Sequence, residues 1–223
     1  MPNAQKPAPA ERQRDAARTR AEILAVATRE FARDGYAGAR VDKIADLTRT
    51  TKRMIYYYFG GKEQLFTAVL EAAYSEIRQL EGDLDVEHLD PVAATRRLVE
   101  LTFDHHEAHP DFIRLVSIEN IHEAEHIIGS EKLSRLGSPA TQRILESGRK
   151  AGLFHAEVDA IDVHAMISSF CFFRVSNRHT FGALFARDLV APDSRDHYRN
   201  MLADMICAYL TSPPVHSESE ELA

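Results

Sequence analysis

Along most of the chain, apolar residues recur every three to four positions, the spacing that gives a helix one buried stripe. Ile23, Ala27 and Phe31 form the first stripe, with Leu24 beside it, and predict a helix from about Ala16 to Asp34. Gly35 follows, and glycine suits a helix C-terminus because it takes a left-handed backbone without penalty. Ile44 and Ala45 mark a short helix over Val41–Leu47, and "TRT" reads as a turn. The next helix carries "TTKRMIYYYF" and stops at Gly60-Gly61. From Lys62 a long helix keeps Phe66, Val69, Ala73, Ile77 and Leu80 on one side, and "EGDLDVEHLDP" interrupts the pattern. Pro91 then opens a fifth helix to about Ala108, since proline is well tolerated at a helix start. The sixth, about Asp111 to Glu125, is apolar nearly all round. A seventh between about Ser130 and Ala151, an eighth from Ala160 that includes "MISSFCFFRVSN", and a ninth from about Ser194 to Tyr209 complete the pattern. No strand-like alternation lasts, so the expected fold is all-α with about nine helices.

The whole sequence has 223 residues and a net charge of −7, which on its own argues against a nucleic-acid partner. The distribution reverses that reading. Residues 1–62 hold 13 Lys and Arg against 7 Asp and Glu, whereas the remainder holds 14 against 27. A basic first quarter on an acidic body fits a small nucleic-acid module joined to a domain that does not bind nucleic acid. The plainer reading is a basic arm, because Arg12, Arg14, Arg18 and Arg20 supply part of the excess. No apolar run approaches the roughly 20 residues of a membrane span. The N-terminus has no apolar core of the signal-peptide kind. Cys171 and Cys207 are isolated, without metal or redox spacing. A cytoplasmic protein without membrane contact is expected.

A short helix, a three-residue turn and a second short helix bearing cations make a helix-turn-helix pattern, here over about residues 40–59. At about 100° per residue, Ile55 and Phe59 share one side of the second helix, with Tyr58 flanking them. Thr50, Lys52, Arg53, Tyr56 and Tyr57 are left to face the major groove, which admits an α-helix. Cations can pair with guanine edges or phosphates, and hydroxyls can bond phosphates.

Residues 16–66 resemble the DNA-binding domain of the tetracycline-repressor (TetR/AcrR) family. The resemblance rests on Gly35-Tyr36, Ile44-Ala45, Ile55-Tyr56-Tyr57-Tyr58-Phe59 and Lys62-Glu63-Gln64-Leu65, in order and correctly spaced. It covers about a quarter of the chain; the remainder fits the family by length and helical character. The resemblance implies phosphate contacts from Tyr56, Tyr57 and Lys62, and an approach to bases by Thr50, Thr51, Lys52 and Arg53. Lys62 also opens a helix, where free N–H groups suit a phosphate. Three positions depart from the family's habit. Thr48-Arg49-Thr50 stands where Ala-Gly-Val is frequent, Arg53 where a small residue is common, and Arg40 where Ser or Thr often precedes the second helix. All three departures place more positive charge on the DNA face.

In the acidic body, Ser117 and Asn120 interrupt the apolar sixth helix, and buried partners are expected for them. Arg174, Asn177 and Arg178 follow an apolar stretch. With Phe103, Phe112 and Phe170 as walls, Ser117, Asn120, Arg174 and Asn177 make a candidate pocket for a small anionic or aromatic effector. The plainer reading of each is a satisfied core network or ordinary packing. His105, His106, His109, His122 and His126 cluster in sequence, and His122 and His126 stand at ligand-like spacing. No Cys or carboxylate completes an evident set, so no metal, cofactor or catalytic residue is expected. A helical metalloenzyme using these histidines is the reading from another class.

The expected organisation is a disordered arm over 1–14, a DNA-binding domain over 15–62, a ligand-binding and dimerisation domain over 63–212, and a disordered tail over 213–223. The expected function is a ligand-responsive transcriptional regulator, a repressor that binds a palindromic operator as a homodimer. Its alternative is a constitutive regulator or an activator without a small-molecule inducer. Phe170, Phe173, Met201, Leu202, Met205 and Ile206 are expected to supply the dimer interface.

Overall fold

The structure, a computed structural model, describes residues 9–86 and 88–213. Among these residues it holds twelve α-helices, one 3-10 turn and no strand. They are α1 (Pro9–Gly38), α2 (Val41–Leu47), α3 (Lys52–Phe59), α4 (Lys62–Gly82), α5 (Pro91–Ala108) and α6 (Pro110–Ile121). There follow α7 (Glu125–Ile128), α8 (Glu131–Ser134), α9 (Pro139–Lys150), α10 (Ala160–Ser176), α11 (Arg178–Phe185) and α12 (Arg195–Thr211). The expected arm up to position 8 and the tail from position 214 lie outside the described residues. Residues 9–14 instead extend α1 ahead of its apolar stripe. Ala, Glu, Arg and Gln favour helix by propensity, which a search for buried faces does not register.

The all-α expectation holds, and the larger helix count has local causes. The sixth helix stops at Ile121 because Glu123 and Ala124 take left-handed backbone, with φ of 55° and 61°. The expected seventh helix is divided into α8 and α9 by a turn in which Gly137 has φ of 50°. The eighth closes at Asn177, which also begins α11, a helix that the apolar spacing does not predict.

The chain forms two compact units. The first runs to Tyr74 and includes Arg114–Ser134. Its interior is built from Ile23, Ala27 and Phe31 of α1, Ile44 of α2, Ile55 of α3 and Leu65, Phe66 and Val69 of α4, all buried. Phe31 meets Phe66 edge-on at 4.8 Å, and Tyr36 and the His126 ring pack against Phe66 at 5.2 and 4.8 Å. Glu119 holds His126 in place, accepting from its backbone N–H at 2.6 Å and its Nδ1 at 3.2 Å.

The second unit comprises the described residues of Ser75–Ile113 and those from Arg135 onward. Its helix α5 is capped by the Asp90 carboxylate, which accepts from Val92 and Ala93 N–H, and Pro91 fills its first turn. Leu98, Val99 and Phe103 of α5 share one core with Ile144 and Leu145 of α9, Ile167 and Cys171 of α10 and Leu202 and Ile206 of α12. Leu202 and Ile206 are thus interior to the unit, and of the residues expected at a dimer interface only Phe173 and Met205 are exposed. Ion pairs tie the same helices at the end of α5. Arg195 reaches Asp104 at 2.6 Å and Glu107 at 3.1 Å, and Arg199 reaches Glu100 at 3.3 Å. In α9, a β-carbon on Gly148 would lie 2.0 Å from the Phe154 ring. Gly148→Ala is therefore expected to destabilise the chain by about 1–3 kcal/mol, the range for overpacking, read as a lower urea midpoint at unchanged m-value.

Candidate nucleic-acid interface

The turn between α2 and α3 is fixed by its own threonines. The Thr48 hydroxyl is buried and donates to the Ile44 carbonyl at 2.8 Å. Thr50 N–H donates to the Ala45 carbonyl at 3.0 Å, and its half-buried hydroxyl lies 3.0 Å from that of Thr48. Thr51 caps α3, its hydroxyl oxygen accepting from Met54 N–H at 3.2 Å. Between them Arg49 has φ of 51°, a left-handed conformation that costs an ordinary side chain about 1–2 kcal/mol. The position where the family favours glycine is thus one that needs a glycine-like backbone. Arg49→Gly should raise stability by roughly 1 kcal/mol in thermal unfolding while weakening DNA binding through removal of the cation.

Helix α3 is anchored by Ile55 and Phe59, both buried, and the Arg20 guanidinium lies 4.8 Å over the Phe59 ring. Its opposite side carries Lys52, Arg53, Tyr56 and Tyr57, all exposed, Tyr57 at 79%. Tyr58 is half-buried and meets Tyr57 edge-on at 5.4 Å. Lys52 lies 3.3 Å from Asp42 of α2, so its charge is partly engaged. Arg53 and Arg40 are exposed and make no side-chain hydrogen bond or ion pair among the described residues. At the end of α3, Gly60 takes φ of 93° and ψ of −37°, a backbone that favours glycine. Lys62 begins α4 but turns back. Its ammonium donates to the Ala37 carbonyl at 3.3 Å and sits 4.9 Å over the Tyr36 ring, and burial lowers its pKa.

The arrangement is a basic recognition helix held from behind by a small aromatic core, with a cation-rich turn before it. Residues 23–69 match the family model described as bacterial regulatory proteins, tetR family. Residues 91–206 match the one described as tetracyclin repressor-like, C-terminal domain. The chain belongs to the tetracycline-repressor family. It is a DNA-binding transcriptional regulator, and the family is not one of enzymes. The HTH-type transcriptional repressor NicS of Pseudomonas putida is 36% identical over 197 residues, covering 87% of this chain and 93% of NicS. The HTH-type transcriptional repressor SCO4008 of Streptomyces coelicolor is 39% identical over 120 residues, covering 50% of this chain and 59% of that protein. Among solved structures, the transcriptional regulator SCO4942 from Streptomyces coelicolor superposes with a TM-score of 0.62 at 30% identity, covering 88% of this chain and 99% of that one.

The ligand candidates of this tetracycline-repressor relative divide. Arg174 is 1% exposed, stacks 3.8 Å over Phe103, and donates to Glu107 at 2.8 Å and to the Leu189 carbonyl at 3.1 Å. Its charge is therefore already balanced, and only Nη1 lacks a partner. Phe170 packs on Tyr198 at 6.2 Å, and Asn177 donates to the Ser176 hydroxyl at 2.8 Å. Phe112 is buried against His105 and His106. Arg178 is exposed and forms a two-bond pair with Asp188 at 3.0 and 2.7 Å. Asn120 is exposed rather than buried, because its amide is satisfied by the Val116 carbonyl of its own helix at 2.9 Å. Ser117 lies half-buried on the same helix. Of the histidines, His126 is structural, as described, and His122 is exposed. His164 accepts from Arg78 at 3.0 Å, and burial pushes it and His106 down to about 4.

Proposed function

We propose that the chain represses transcription by binding a palindromic operator as a cytoplasmic homodimer and releasing it when a small molecule binds. The observation that carries this reading is the outer side of α3, where Arg53, Tyr56 and Tyr57 stand exposed on a helix fixed by Ile55 and Phe59. Residues 15–62 act as the DNA-binding module. Within it Arg53 and Lys52 reach base edges, and Thr50 approaches a base through its methyl group. Thr51, Tyr56, Tyr57 and Arg40 bond the backbone. Lys62 reaches a phosphate by leaving the Ala37 carbonyl. The repressor sign is supported by relatives that carry that word in their names. No described helix is long and apolar enough to cross a membrane.

Dimerisation through α10 and α12 is supported by exposed apolar side chains on both, Phe173 and Met205 with Tyr209. Such a surface suits a two-fold, self-complementary interface. Effector binding belongs to residues 63–212, with Phe103, Phe112 and Phe170 as apolar walls and Arg174 Nη1 as the free donor. Because Glu107 already neutralises Arg174, an aromatic effector that accepts one hydrogen bond suits this site better than one that needs a bare cation. The test is a fluorescence-anisotropy titration with DNA from the region upstream of the gene, run with light scattering on the same sample. Saturable, salt-sensitive binding to one palindrome by a species of twice the chain mass is expected. Binding that ignores sequence, or a stable monomer, would overturn the reading.

A further inference from the structure

The geometry points to a binding site for a divalent transition-metal ion, of the class of zinc, cobalt or nickel, formed by Glu76 of α4 with His105 and His109 at the end of α5. The ligand atoms of these three residues all lie within 4.8 Å of one another. His109 Nε2 stands 3.4 Å from Glu76 Oε1, close to the roughly 3.3 Å edge of a tetrahedron with bonds of about 2.05 Å. Closing the site on an ion therefore needs only a small inward movement of His105.

Two further features prepare these residues as ligands. His109 is the residue that ends α5, and its Nδ1 lies 2.9 Å from the His105 carbonyl. A carbonyl only accepts, so Nδ1 carries a hydrogen, which leaves Nε2, turned towards Glu76, as the ring's ligand atom. Metal-binding histidines are oriented in this way by a bond from their second nitrogen. His105 is 4% exposed, yet neither of its ring nitrogens has a hydrogen-bond partner among the described residues. A buried polar group without a partner costs about 1–3 kcal/mol and calls for an explanation such as an ion. The two rings stack at 4.3 Å, and Phe112 closes the His105 side edge-on at 5.5 Å. Glu76 is exposed, which leaves the ion a way in and one coordination position for water. Two imidazoles with one carboxylate favour these metals over calcium or magnesium, which take oxygen ligands. The sequence drew attention to His122 and His126 instead; the pair that converges is the one four residues apart on α5, completed by a carboxylate from another helix.

The experiment uses the full, untagged chain, stripped with a chelator and titrated with Co²⁺ while visible absorption is recorded, followed by Zn²⁺ in a thermal-unfolding series. One equivalent of Co²⁺ per chain with ligand-field bands is expected, together with a rise in Tm on adding Zn²⁺. His109→Ala should abolish both, and Glu76→Gln should weaken Co²⁺ binding by about tenfold or more, with circular dichroism unchanged in each. His122→Ala should leave binding intact. Wild type that titrates no differently from His109→Ala and Glu76→Gln, or that shows no stoichiometric binding, would overturn the assignment. None of these readouts depends on DNA, so failure here leaves the repressor reading standing.

Discussion

Arg53→Ala is expected to weaken binding to the cognate operator by roughly 2–6 kcal/mol, because a good base contact is worth about 1–3 kcal/mol and a symmetric dimer forfeits it twice. Arg53 stands exposed on the outer side of α3 and has no side-chain partner among the described residues to release. Its removal should relax preference at one position of each half-site. Tyr57→Phe provides the contrast. It removes a hydroxyl from the most exposed ring of the three and should lower affinity for all sequences alike, since phosphates carry no sequence information. Lys62→Ala should also act uniformly and reduce the salt slope by about one unit for each phosphate left without its cation. The measurement is a set of binding titrations across single-base operator variants at several salt concentrations. A uniform weakening for Arg53→Ala, with every base preference kept, would make Arg53 a phosphate contact and end its assignment to base readout.

Arg174→Ala should destabilise the chain by about 3–4 kcal/mol, the lower part of the range for removing one partner of a buried ion pair. The guanidinium is fully enclosed, stacked on Phe103 and bonded to Glu107 and the Leu189 carbonyl. Its removal empties the space over the Phe103 ring. Glu107 keeps Arg195 at 3.1 Å, which is why the upper part of the range is not reached. Arg174→Met retains most of the packed volume and should cost about half as much. Denaturant unfolding of both variants decides the matter. Equal destabilisation would mean that charge rather than packing sets the stability at this position.

The helix-turn-helix was legible because its signals are local. Ile44, Ile55 and Phe59 lie at helical spacing, and Gly35 kinks α1 near its end while Gly60 ends α3, each with a backbone that other residues resist; φ is 71° and 93° at the two positions. The region from α6 to α8 was not legible. The break that ends α6 falls at Glu123 and Ala124, residue types that carry no turn signal. The first unit also takes in Arg114–Ser134, drawn there by contacts such as His126 on Tyr36 at 4.4 Å, which no periodicity reveals. Arg174 stands in a helix with apolar residues on every side, and its burial depends on Glu107 67 positions earlier. Periodicity misjudges the burial of Asn120 for the opposite reason. A polar residue in an apolar helix predicts a buried partner, but Asn120 is exposed and the backbone of its own helix satisfies it. The convergence of Glu76 with the α5 histidines was likewise hidden, because a carboxylate elsewhere in the chain can be matched to a histidine pair only once the helices are packed.

The ion pairs at the end of α5 bear on how the chain is made. Asp104 waits for Arg195, 91 residues later, and Val99 and Phe103 wait for Leu202 and Ile206 to complete their core. During synthesis, α5 leaves the ribosome long before α12 exists. The α9 and α10 residues of the core can cover part of its apolar side earlier, but the part that meets Leu202 and Ile206 stays open until α12 has emerged, an interval in which nascent chains are held by chaperones or lost to aggregation. A frameshift or stop codon ahead of Arg195 therefore yields a product with its basic α3 encoded in full and its second unit unable to close.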